Sequence, residues 1–157
     1  DKSYAVDGYP FTPSVGLLNG LAKSCDMLLG EGLEAVFARH NRIAEGVRAA
    51  VSAWGLELCA QSPDLYSDTV SAIRTPEGMD ATRIVTHASD VYGVAFGVGL
   101  GDVAGKVFRI GHLGISGIAT AEMCMADLGL EIKLGSGVAA AQDHYRSTVG
   151  VSLKAAA

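Results

Sequence analysis

The spacing of apolar residues changes once along this chain, at Gly55, and that change sets the fold class. Before Gly55 the apolar residues recur every three or four positions, the repeat of one helix face. Val15, Leu18, Leu21, Cys25, Leu28 and Leu29 form a first stripe, with Thr12 as N-cap and Pro13 as first helical residue, where its missing N–H costs nothing. Gly30 and Gly32 end it. A second stripe runs Leu33, Val36, Phe37, His40, Ile43, Val47, Val51 and Trp54, and Gly55 stops it as a C-terminal glycine. After Gly55 the pattern shortens. Leu56–Cys59 alternates like a half-buried strand, and 68–75 (DTVSAIRT) is rich in β-branched residues. Asp80 caps a helix carrying Ile84, Val85, Ala88 and Val91, which Gly93 closes. Val94–Phe96 and Lys106–Ile110 read as strands, and helices are expected over 118–128 and 138–148. This order predicts an α/β chain, a small α+β domain with a mixed sheet backed by helices.

Composition narrows the function classes. Twelve Lys and Arg against 17 Asp and Glu give a net charge of −5. The basic residues form no cluster, which argues against a nucleic-acid or acidic-lipid surface. Apolar runs are broken by charge or glycine well short of the ~18 residues a membrane span needs. Cys25, Cys59 and Cys124 are an odd, scattered set that suits neither a disulfide frame nor a zinc site. They fit a reducing, cytoplasmic setting. The 20 glycines in 157 residues are nearly twice the usual ~7% share, and point to tight turns and close backbone approaches.

Several motifs invite a chemical reading. Gly99-Leu100-Gly101-Asp102-Val103-Ala104 satisfies the dinucleotide fingerprint, which works only if a helix opens there to meet the pyrophosphate. The next stretch reads as a strand, so a glycine-rich turn is the better reading. A non-catalytic small-molecule or dinucleotide-binding module using the Gly97–Gly105 loop is the alternative function. Gly105-Lys106-Val107 lacks the hydroxyl of a phosphate-binding loop. His40 sits on an apolar stripe and reads as a hydrogen-bonded core residue; His112, beside Gly111 and Gly114, is a weak candidate for chemistry. His87 and His144 read as surface or packing residues, and Cys25 as an inert thiol on a packed helix face. Arg109 alternates with Phe108 and Ile110 between two glycine-rich turns. Its guanidinium either presents a bidentate fork to a small carboxylate or serves as a structural or outward-facing residue.

Four stretches carry a family resemblance. Gly105-Lys106-Val107-Phe108-Arg109-Ile110-Gly111-His112-Leu113-Gly114 resembles the C-terminal part of the class V, pyridoxal-phosphate-dependent aminotransferases, in the serine–glyoxylate and alanine–glyoxylate group. Tyr9-Pro10-Phe11-Thr12-Pro13, the stretch 31–40 (EGLEAVFARH) and the stretch 134–141 (LGSGVAAA) agree with it in order. The resemblance implies a fold-type I transferase that moves an amino group from serine or alanine to glyoxylate by ping-pong exchange. It implies that Arg109 grips the substrate carboxylate. It further implies a homodimer in which Tyr9 and Thr12 reach the cofactor phosphate of the other subunit. No lysine here, among Lys2, Lys23, Lys106, Lys133 and Lys154, stands in the context of the family's cofactor-bearing lysine. The expectation is therefore a C-terminal segment without a catalytic residue of its own: 1–30 an interface segment and helix, 31–154 a small domain, and 155–157 an appended tail. The step Gly114-Ile115-Ser116-Gly117 is several residues shorter than the family pattern.

Overall fold

The computed structural model describes residues 12–112 and 117–152. The chain divides into two compact units, Asp1–Val36 and Phe37–Ala157. In the first unit, α1 spans Val15–Glu31 and is closed by Gly32, whose φ of +89° suits glycine. The helix starts later than its sequence suggests. Ser14 O accepts the first helical bond from Leu18 N–H, so Ser14 takes the N-cap place and Thr12 and Pro13 lie outside. None of the residues of α1 is buried, and Cys25, expected on a packed face, is exposed.

α2 spans Leu33–Ala53 and ends at Gly55, where φ is +71°. Its second half, with Val47, Ala50, Val51 and Trp54, enters the core of the second unit. Residues 56–59 do not make a strand. They leave a single bridge, Leu58 to Ile73, flanked by Cys59 N–H to Ala72 O (2.8 Å) and Arg74 N–H to Glu57 O (2.8 Å).

The sheet is β1 (Val70–Arg74), β2 (Gly97–Val98) and β3 (Val107–Gly111), in the order β1-β3-β2. Both described ladders are antiparallel, which corrects the expected mixed sheet. The physical reason is the tight connection from β2 back to β3. β1, α3 (Thr82–Tyr92) and β2 form a crossover whose two strands run the same way. β3 then slots between them, so no parallel pair becomes adjacent. The strand expected at Val94–Phe96 shifts to Gly97–Val98, because Val94 N–H still closes α3 on Ala88 O and Phe96 packs against Phe108.

One face of the sheet packs on the core. Ile73, Phe108 and Ile110 are buried with Trp54, Ile84, Ala88, Ile118 and Met125 in a single core, joined by Ala121 and Cys124 of α4 (Gly117–Asp127) and Ala141 of α5 (Ser136–Ser152). Burial pushes the Cys124 thiol up to about 11, which leaves it inert near neutral pH. Asp80 Oδ1 accepts the Thr82 N–H at 2.8 Å, capping α3 as expected, and Gly93 closes the helix at a φ of +65°. His87 and Tyr92 both bond Asp127 Oδ2, at 2.9 and 2.6 Å, and so tie α3 to α4. Among the described residues no helix is long and apolar enough to cross a membrane.

Two buried polar groups hold this layer. Glu122, only 3% exposed, accepts Trp54 Nε1–H at 2.9 Å and Gly137 N–H at 2.8 Å on Oε1, and Gly135 N–H at 2.9 Å on Oε2. One carboxylate thus satisfies the free N–H groups that open α5 and binds the end of α2 to them. Gly137 lies so close to Trp54 that a methyl group there overlaps the indole. His112 is fully buried, with Nε2 2.9 Å from Ser71 Oγ. Burial holds its imidazole below the ordinary 6.5, with Arg48 acting the same way and the Asp68 backbone and carboxylate opposing.

Two outcomes follow for stability. Glu122→Ala strands three donors at about 1–3 kcal/mol each, so denaturant melts should show a loss of about 3 kcal/mol or more. Gly137→Ala should also destabilise, although alanine is worth about 1 kcal/mol more than glycine in a helix. A neutral or stabilising Gly137→Ala contradicts this packing. For His112 the unfolded chain binds a proton that the folded chain refuses. Its contribution is therefore complete above about 6.5 and is lost as pH falls. Tm should drop between about pH 7 and 5, and His112→Gln should flatten that slope. An identical slope in the variant contradicts the assignment.

Candidate functional site

β3 sorts its side chains by alternation. Phe108 and Ile110 point into the core, so Arg109 points to the opposite face of the sheet, which it shares with the buried Val107. The antiparallel register sets Ala72 of β1 directly opposite Arg109 on one side and Gly97 of β2 on the other. Two small residues therefore flank the arginine stem, which lies in a shallow trough.

Arg109 is half-buried, and its Nε is buried without a hydrogen-bond partner. No described residue forms an ion pair or hydrogen bond with this guanidinium. Arg48 stands in contrast. It is 9% exposed, bonds Asp68 Oδ1 and Glu45 Oε1 at 2.9 and 2.8 Å, and lies 5.2 Å over the Tyr66 ring. Burial alone would raise the Asp68 carboxyl, but Arg48 and Asn41 hold it below the usual range by hydrogen bonding to its charged form. Arg48 is a satisfied structural cation, whereas Arg109 presents unused donors. A buried N–H without an acceptor costs about 1–3 kcal/mol, so Arg109 is held at a cost that Arg48 does not carry.

The glycine-rich connection beside this trough does not form a dinucleotide site. Gly99 is followed by one 3-10 turn at Gly101–Val103 and then β3, so no helix N-terminus exists to receive a pyrophosphate. Gly101 and Gly105, with φ of +55° and +71°, shape a tight return, and Gly105 O accepts the Ala81 N–H. A groove of about 830 Å³ runs along Arg48, Leu56, Leu58, Tyr66 and Arg74. It excludes Arg109, and its most buried cation, Arg48, is already paired.

Thr12 is exposed and non-helical in the first unit. Tyr9 lies outside the described residues, as do positions 113–116 of the short connection after β3. His40 is half-buried, and His112 is a core residue whose role is structural. Among the described residues no group of His, Cys, Asp and Glu is arranged to hold a metal ion. Sequence reasoning singled out Arg109 without its flanks, because only the cross-strand register puts Ala72 and Gly97 beside it.

No family model matches the chain. Individual proteins do. The chain is 68% identical over 161 aligned residues to the L-aspartate–glyoxylate aminotransferase of Paracoccus denitrificans, covering 98% of this chain and 41% of that protein. It is 54% identical over 144 residues to the serine–glyoxylate aminotransferase of Hyphomicrobium methylovorum, covering 87% of this chain and 36% of the relative. The chain thus spans about two fifths of the length of these relatives. Among solved structures, the pyridoxamine–pyruvate aminotransferase of Mesorhizobium loti superposes with a TM-score of 0.82 at 38% identity, over 91% of this chain and 38% of that one. By sequence and by fold, this chain is a homologue of the class V aminotransferases of the glyoxylate group, matched over their C-terminal part.

Proposed function

We propose that this chain supplies the substrate-carboxylate grip of a pyridoxal-phosphate-dependent aminotransferase that passes an amino group from a small amino acid to glyoxylate. The observation that carries this reading is the unpaired Arg109 guanidinium on the sheet face opposite the core, with a buried Nε that lacks an acceptor. A guanidinium holds a planar carboxylate through two parallel charge-assisted bonds, which fixes the α-carbon as well as binding it. Every amino and oxo acid in such an exchange carries this carboxylate, so one arginine serves donor and acceptor alike. Serine and alanine are the donors suggested by resemblance, and the name of the Paracoccus relative adds aspartate.

Bound pyridoxal phosphate supplies the electron sink for removal of the α-proton. The residues here fit the binding side of that chemistry and supply none of its proton transfers. Thr12, near the start of α1, and Tyr9 carry hydroxyls suited to a phosphate, and we assign them to the cofactor phosphate of a partner subunit in a homodimer. Residues 1–30 then serve as the interface segment and 31–154 as the small domain. A reducing cytoplasm suits the three free thiols.

Kinetics of the full-length enzyme test the grip. Losing two bonds worth about 1.5–3 kcal/mol each predicts that Arg109→Ala lowers kcat/KM for serine and glyoxylate a hundredfold or more. Arg109→Lys keeps charge without the planar fork and should fall between. Tm and cofactor content should hold in both variants. Unchanged kinetics with a large drop in Tm makes Arg109 a structural residue and ends the proposal. Thr12→Ala and Tyr9→Phe should instead raise the cofactor dissociation constant, by about 1–3 kcal/mol per lost bond to a charged group.

A further inference from the structure

Gly97 heads the glycine-rich connection, yet its backbone does not require glycine. Gly101 and Gly105 sit at positive φ, whereas Gly97 does not. What Gly97 needs is space. A Cβ there would lie 2.8 Å from Arg109 Nε, 3.1 Å from its Cβ and 3.3 Å from its Cζ. The first distance is shorter than real contacts allow, and the second involves an atom fixed to the β3 backbone. Arg109 could not keep its present path beside any larger residue.

We propose that Gly97 is a positioning residue for Arg109, its missing side chain being the slot that holds the guanidinium against β2 and aims it at a substrate carboxylate. The inference rests on the reading that Arg109 binds that carboxylate. Ala72 stands opposite Arg109 on β1 and Gly97 on β2, and the stem and Nε run against Gly97. A methyl group at position 97 closes that path and turns the fork away while the strand pairing persists. The loss should therefore fall on binding and not on the chemical step.

The test uses the full-length enzyme with its cofactor, and α-methyl-L-serine as probe. This amino acid carries the carboxylate but no α-proton, so its dissociation constant can be read from cofactor absorbance without turnover. Gly97→Ala should raise that constant and the KM for serine about tenfold, with kcat within about threefold of the parent. In an Arg109→Ala background the same change should add almost nothing, because the group it displaces is gone. Parent-like binding by Gly97→Ala, beside impaired Arg109→Ala, overturns this inference and leaves the carboxylate grip standing. Parent-like binding by Arg109→Ala overturns both. Equal losses from Gly97→Ala in the two backgrounds mean that Gly97 acts elsewhere, and also overturn the inference. Should Gly97→Ala fail to fold, the Arg109→Ala/Gly97→Ala pair decides. Stability equal to Arg109→Ala supports the steric coupling, and a second folding failure assigns Gly97 to strand pairing alone.

Discussion

β3 is held from both sides, and the face opposite the core takes its shape from that fact. Its ladder with β1 pairs five residues, from Val70 with Gly111 to Arg74 with Val107, and its ladder with β2 pairs Gly97 with Arg109 and Val98 with Phe108. Phe108 and Ile110 anchor the strand from below, each almost completely buried. A strand fixed in register and in depth has no freedom to roll, so Arg109 is directed away from the core by the same contacts that bury Phe108 and Ile110 in it. The core and the proposed binding group are two faces of one alternation.

The helices beneath β3 are joined by a different device. Glu122 gathers the indole of Trp54 and two backbone donors at the start of α5, so the ends of α2 and α5 meet at one carboxylate on α4. A buried carboxylate is tolerated there because nearby donors replace its water shell. Close approach of Gly137 to Trp54 and of Gly46 to Tyr145 lets α5 settle against α2. Glycine acts here by removing bulk, as at Gly97, and not by supplying an unusual dihedral.

Local pattern made much of this legible. The stripes of α2 and α3, their closing glycines Gly55 and Gly93, the cap at Asp80 and the strand at 107–110 are written in neighbouring residues. Arg109 stood out because it interrupts an apolar strand. What sequence did not carry was distance. The placement of β3 between β1 and β2 depends on a long-range choice, so the parallel pairing expected of a crossover never forms. Leu56–Cys59 alternates properly but makes only one bridge, Leu58 to Ile73, with a backbone bond on either side. The stripe of α1 has the same spacing as that of α2 and buries nothing, which is how Cys25 comes to be exposed. Glu122 gave no signal, because a polar residue on a helix usually faces water. Its partners lie 68 and 13 to 15 positions away.

The account turns on whether Arg109 is the carboxylate ligand. A crystal structure of the full-length enzyme with α-methyl-L-serine bound decides this directly. The prediction is that both carboxylate oxygens lie at charge-assisted hydrogen-bond distance, about 2.7–2.9 Å, from the two terminal nitrogens of Arg109. A carboxylate bound elsewhere, with Arg109 ion-paired to a protein side chain, would contradict it.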